Sequence, residues 1–370
     1  MKERNMKKKF LFLLLISATI NVICFLPYVG TYVDRIQQRF WPTSYYNVQS
    51  KDNEVIDAVI NASLSMDGSA FSCEQPKRGL IYDVHNFIYP VHSTNLFNNY
   101  SHSYLYAGLS EYAFKKKNKR ILNHLVQETK TFTAGNSLTY RLQEVDQIPI
   151  GICFLNLYQI TGEECYLNIA KSIYKWLLGR RESNSNIIYY RKGDNQFVDA
   201  LGMYVPFLVK YSKVTGDTLA YTIAKDNVLE FYAYGVDKET GIPVHGYNKK
   251  THIKVGSSNW GRGIGWYLLA ASCLSDFHDK VLDTTLPTLN ESQFPCTSGR
   301  FDSSAALMFE LYMQRKGNHP HSVDFIKPYI TLGGAIQNCS GDTYDFNNHS
   351  FIMGAAELTQ GLFLMLVSNK

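Results

Sequence analysis

Asp199 lies in the run Asn195 to Lys210, flanked by Val198, Leu201, Met203 and Val205. An ionised carboxylate among apolar side chains is costly unless it is paired or hydrogen-bonded. The residue therefore reads either as the cap of the helix that follows it or as a proton donor. Three further polar clusters stand beside apolar helical runs. Glu144-Val-Asp146-Gln147 precedes Ile148-Pro-Ile-Gly-Ile-Cys-Phe, Pro243-Val-His245-Gly246-Tyr247 follows a helical stretch, and Asn259-Trp260-Gly-Arg262-Gly-Ile-Gly-Trp266-Tyr267 leads into Leu268-Leu-Ala-Ala. Two carboxylates and a histidine are the equipment of general acid–base catalysis. Two tryptophans and an arginine among alternating glycines put rings and a fixed cation on a backbone that a ligand can approach closely. Taken singly, Asp146 reads more often as a helix N-cap than as a catalyst, and His245 before Gly246 reads as a turn residue.

Several other chemistries lack a sequence basis. The Gly-x-Gly-x-Gly spacing at 261–265 follows no strand and is not a dinucleotide fingerprint. Gly-x-Ser-x-Gly, Gly-x-x-x-x-Gly-Lys and His-Glu-x-x-His do not occur. The seven cysteines, Cys24, Cys73, Cys153, Cys165, Cys273, Cys296 and Cys339, show no metal-site spacing, so no metal or cofactor is expected. Cys153 reads as a core residue. The formal charge of +5 is concentrated at the start: Lys2, Arg4, Lys7, Lys8 and Lys9 against Glu3 leave only +1 for the remainder. Nucleic acid is therefore not an expected partner. The basic run from Lys115 to Arg120 reads as the solvated end of a helix. Aromatic residues are abundant, with 26 Tyr, 21 Phe and 4 Trp, many beside Asn, Gly or His, which suits the apolar faces of sugars as well as helix packing.

The elements that must position these residues are helical. The 370-residue chain opens with a basic leader and an apolar stretch from Phe10 to Val33, expected to be a signal peptide or, since no convincing small-x-small cleavage site follows, a membrane anchor over residues 1–33. With its lysines held inside, the rest of the chain would lie outside the cytoplasm. Residues 34–53 read as a linker and 54–370 as the folded domain. Leu157-Tyr-Gln-Ile-Thr-Gly162 followed by an amphipathic run is echoed at Lys210-Tyr-Ser-Lys-Val-Thr-Gly216, with weaker echoes at 109–121 and 311–317. Each is an apolar helix, a glycine stop and a second helix. Such hairpins, separated by long Gly-, Asn- and Tyr-rich loops, predict a closed ring rather than an open stack. Strand signals at 187–190 and 252–255 predict loop hairpins at most. Inner helices of a ring share a rim, so the four polar clusters could converge there.

Asp146 ahead of a Leu-Tyr-x-x-Thr-Gly hairpin, Gln-x-x-Asp199 with Met203 and Pro206-Phe207, His245-Gly, Trp260-x-Arg262-Gly-x-Gly-Trp266 and Gln360-Gly361 together resemble the unsaturated rhamnogalacturonyl hydrolases of glycoside hydrolase family 105 and their relatives, the unsaturated glucuronyl hydrolases of family 88. The resemblance runs from about residue 80 to the C-terminus and rests on order and spacing. It implies an all-α fold, the (α/α)6 barrel, and removal of a 4,5-unsaturated uronic acid from the non-reducing end of lyase-made oligosaccharides by hydration of the vinyl ether. It further implies Asp199 as proton donor and water activator, Asp146 as its support, and His245 near the reacting carbons. Trp260, Arg262, Trp266 and Met203 would bind substrate. Two departures stand out: Ile264 replaces a usual Asn, and Tyr190-Arg191 stands where the family tends to place His-Lys. A tethered toroid that binds or assembles polysaccharide without cleaving it, and a conventional glycosidase using the two carboxylates as acid and base, are the alternatives.

Overall fold

The computed structural model describes residues 7–22, 44–66, 99–190, 193–256, 260–277, 296–297, 299–317, 322–341, 343–346, 348–349 and 353–369. The chain divides into two units, Met1–Ser44 with Glu74–Thr94, and Tyr45–Cys73 with Asn95–Lys370. In the first, residues 7–22 form a helix with all its residues exposed. Among the described residues no helix is long and apolar enough to cross a membrane. Residues 23–33 of the expected anchor, and Cys24 and Cys73, lie outside the described residues.

The second unit is built from ten helices among the described residues: α1 (Asp52–Leu64), α2 (Tyr100–Lys116), α3 (Lys119–Phe132), α4 (Ile150–Thr161), α5 (Glu164–Leu178), α6 (Val198–Thr215), α7 (Thr218–Gly235), α8 (Gly261–Ala271), α9 (Ser303–Arg315) and α10 (Glu357–Ser368). The hairpins follow the sequence punctuation. Gly162 ends α4 at φ 74° and Gly216 ends α6 at φ 78°, the left-handed geometry that reverses a chain after a helix. Asn118 and Asp217 then cap α3 and α7 through their side-chain oxygens.

Burial sorts the helices into two layers. Buried residues occupy one face of α3, at Ile121, Leu125, Thr129 and Phe132, whereas α8 and α10 are buried along their whole lengths and α6 along most of its own. Helices buried all round must be covered on every side. They are: α2, α4, α6, α8, α9 and α10 each pack against the next, and α10 returns to α2, closing a ring of six. Helices α3, α5, α7 and α1 pack on α2, α4, α6 and α10 respectively.

Equal depths meet across the ring, so the six helices run in parallel. Gly202 of α6 packs under the Trp266 ring of α8, and Gly265 of α8 under Met308 of α9. At the α2–α10 seam, a Cβ on Gly108 would lie within the backbone of Gly361, and one on Gly361 within that of Tyr104. Only glycine permits that approach. His102 and Glu357 meet at one end of this seam, and Lys115 and Asn369 bond at the other. All six inner helices thus start at one rim.

The end of the sequence-assigned linker is docked on this unit. Tyr46 N–H donates to the Ile330 carbonyl (2.9 Å), and the Lys327 ammonium reaches the carbonyls of Val48 (3.2 Å) and Ser50 (2.7 Å). The small strands are more connected than the sequence indicates. β1 (Asn195–Phe197), β2 (Gly246–Asn248) and β3 (Lys254–Val255) form one antiparallel sheet in that order, joining the loops before α6 and after α7.

Candidate active site

The sheet fixes the relation between Asp199 and His245. β1 and β2 pair Phe197 with Gly246, and the Val198 N–H donates to the His245 carbonyl at 3.0 Å. His245 therefore sits opposite the first turn of α6. Its Nε2 lies 3.5 Å from Asp199 Oδ2, with 3% of the His245 side chain and 16% of the Asp199 side chain exposed. Gly256, at φ 80°, makes room for the imidazole, since a Cβ there would fall 2.6 Å from the His245 Cβ. The helix N-cap is Phe197, which forms no side-chain cap, so Asp199 does not serve as the cap that sequence alone allowed.

Asp146 lies in a 3-10 turn, Val145–Gln147, that packs against α6 and α2. The capping work there falls to a capping box of Glu144 and Gln147, in which Gln147 Oε1 accepts from the backbone N–H groups of Gln143 (2.6 Å) and Glu144 (3.2 Å). The Asp146 carboxylate is left to other duties, and its Oδ2 accepts a hydrogen bond from the Tyr190 hydroxyl at 3.0 Å. Tyr190 packs edge-on to Phe197 at 5.8 Å. The Phe197 ring stacks on Phe346 at 5.0 Å and lies 6.0 Å from the His245 ring. One aromatic chain therefore runs from the partner of Asp146 to the partner of Asp199.

The Trp-x-Arg segment closes another side. The Trp260 ring lies 4.4 Å from the His245 imidazole. Arg262, 3% exposed, donates through Nη1 to the Ser340 carbonyl and through Nη2 to the Gly341 carbonyl at 2.7 Å. Its guanidinium lies 5.7 Å from the Trp260 ring and 5.9 Å from the Tyr100 ring. The cation thus holds a loop at the rim. Trp266 (1% exposed) packs on Gly202, Tyr100 and Tyr104, and Met203 (2%) is buried in the same turn of α6. Ile264 is buried on α8. Asn259 and Arg191 lie outside the described residues.

Sequence reasoning missed two features. Tyr190 was visible only as a departure, because its partner Asp146 is 44 residues away. The other is the buried pair of His102 Nδ1 with Glu357 Oε2 at 2.7 Å, which joins the first turns of α2 and α10. Their separation of 255 residues leaves no local pattern to read. Gln360, conversely, belongs to the architecture: its Nε2 donates to Ser63 Oγ (3.2 Å) and the Gly334 carbonyl (3.1 Å), and its Oε1 accepts from the Ile336 N–H (2.9 Å). Among the described residues no group of three or more metal-ligating side chains gathers.

A ring of parallel helices with carboxylates, a histidine and aromatic rings at one rim defines a helical toroid with a candidate acid–base site. Residues 82–319 match the model of Glycosyl Hydrolase Family 88, well over half of the chain. The chain belongs to that family and is a glycoside hydrolase. The fold is shared with a family 105 glycoside hydrolase of Clostridium acetobutylicum ATCC 824 (TM-score 0.59, 19% identity, 77% of this chain and 97% of that one). It is similar also to a possible member of family 105 from Klebsiella pneumoniae MGH 78578 (0.66, 15%, 86% and 93%). An unsaturated glucuronyl hydrolase specific for heparin matches at 0.55 and 15%, over 86% of this chain and 96% of that one.

Proposed function

We propose that this glycoside hydrolase is an unsaturated uronyl hydrolase. It acts on the non-reducing end of lyase-made oligosaccharides, on an (α/α)6 barrel of which the ring of six inner helices and its outer helices are the described part. The observation that carries the reading is the Asp199–His245 contact at the rim, with the Asp146 turn packed on the same helix. In this reading the Asp199 carboxyl gives its proton to C4 of the vinyl ether while a water oxygen adds to C5. The proton released by that water returns to Asp199, leaving a hemiketal. The hemiketal opens to a ketone and expels the remaining sugar as an alcohol, with one water consumed overall. Asp146, held by Tyr190, orients the sugar ring and supports the proton movement. His245 lies beside the acid and directs the water. Trp260 walls the site. Trp266 and Met203 set its floor from beneath, and Arg262 shapes it through the loop at Ser340 and Gly341.

The reading is tested by following loss of ultraviolet absorbance of the conjugated double bond in unsaturated di- and trisaccharides from pectin and glycosaminoglycan lyase digests. Wild type consumes the chromophore, and Asp199→Asn lowers the rate by about 10²–10⁴-fold, the range of a general acid–base group. Undiminished turnover in Asp199→Asn removes Asp199 from the proton donor's role, and activity confined to saturated glycosides replaces the hydration reading with direct glycosidic attack.

The leader belongs to the same proposal. Lys7, Lys8 and Lys9 in the first turn of the exposed helix, ahead of its apolar run from Phe10, support attachment of the enzyme to a membrane, with the catalytic unit outside the cytoplasm. Fractionation of cells expressing the full chain tests this: the enzyme stays with membranes through an alkaline wash, whereas a chain found wholly in the cytosol refutes it.

A further inference from the structure

At the far end of the ring, where the inner helices finish, a cavity of about 410 Å³ reaches down to Tyr104 and Ile152. Four cations line it, Lys115, Lys210, Lys213 and Arg315, against one carboxylate, Glu111. Glu111 is fully engaged. It takes the Lys115 and Lys210 ammonium groups at 3.1 Å each and the Asn156 side-chain amide at 3.3 Å. Lys213, exposed at the mouth, makes no hydrogen bond or ion pair with a described residue. Arg315 bonds only through Nη1, to Ser272 Oγ (2.8 Å), Cys273 Sγ (3.3 Å) and the Leu269 carbonyl (3.5 Å). Among the described residues its Nη2 and Nε have no partner, and these two are a fork that matches two oxygens of an oxyanion.

Cations also gather at helix C-termini to offset the partial negative charge there. That account requires neither a cleft of this volume nor an unengaged guanidinium fork. A volume of this size is one that small ligands fill. We propose that the cavity is a second site, separate from the catalytic rim, which binds a tetrahedral oxyanion of the phosphate or sulfate class, free or carried on a body no larger than a monosaccharide. Arg315 grips the oxyanion, Lys213 guards the mouth, and Glu111 holds Lys115 and Lys210 in place around it.

Titration calorimetry of the full chain with inorganic phosphate, and separately with glucose 6-phosphate, tests the site at ionic strength held constant with sodium chloride. Saturable binding is expected. Lys213→Gln weakens it by about fivefold, the effect of losing one exposed charge contact of about 1 kcal/mol. Lys213→Glu abolishes it, Arg315→Lys weakens it by loss of the fork, and Lys175→Gln on the outer helix α5 leaves it unchanged. Tighter binding of the sugar ester than of the free ion assigns the body-carrying ligand, and equal affinities assign the free ion. Absence of saturable binding of either probe by wild type overturns the proposal, as does unaltered affinity in a folded Lys213→Glu variant. In those cases the cations serve the helix ends alone.

Discussion

Tyr190 shows how a single side chain alters the reading of a site. From sequence it is a substitution that puts substrate contacts in doubt. In the fold its hydroxyl donates to Asp146 Oδ2, so in the proposed reaction it acts through that carboxylate. Tyr190→Phe keeps the ring packed on Phe197 and removes only the hydrogen bond. Bonds to charged acceptors contribute about 1.5–3 kcal/mol. Turnover on unsaturated disaccharides should therefore fall by roughly tenfold or more with KM little changed, since a misoriented carboxylate harms the transition state more than ground-state binding. A change confined to thermal stability would reduce Tyr190 to a packing residue. Asp199 was open between cap and acid for a similar reason. Both uses need a carboxylate near a helix start, and only coordinates distinguish a position before the first turn from one within it.

At the scale of elements, Glu111 joins three helices. It lies on α2 and binds Lys210 of α6 and Asn156 of α4. Burial works to raise its pKa, but the ammonium groups of Lys210 and Lys115 prevail and bring it from 4.5 to about 2. A carboxyl whose folded pKa is depressed stabilises the fold above its unfolded value and loses that contribution as pH falls through its folded value. Stability should therefore decline between about pH 4.5 and about pH 2. Glu111→Gln should be less stable than wild type at neutral pH, with a shallower decline over that window in urea unfolding. Parallel pH profiles for the two proteins would show that the network adds nothing to stability. The hairpins themselves were readable in advance. Gly162 and Gly216 mark helix ends because the left-handed turn needs them, and the apolar spacing marks the faces. The sheet β1–β2–β3 was not readable, because strands of two or three residues give too little alternation to register.

For the whole molecule, the sequence indicated a ring but not the register that brings its parts together. The order of Asp146, Asp199, His245 and the Trp260–Trp266 segment along the chain pointed to a shared rim, and parallel inner helices begin there. What holds Asp199 and His245 at 3.5 Å is pairing between β1 and β2, a contact across almost fifty residues. The seam at Gly108 and Gly361 has its own consequence. Its two helices meet across the chain: His102 of α2 and Glu357 of α10 (Glu357–Ser368) are 255 residues apart in sequence. Joining segments so distant costs loop-closure entropy that a hairpin between consecutive helices does not. The ring is thus shut by its longest-range pairing, at a place where two backbones touch without side chains between them.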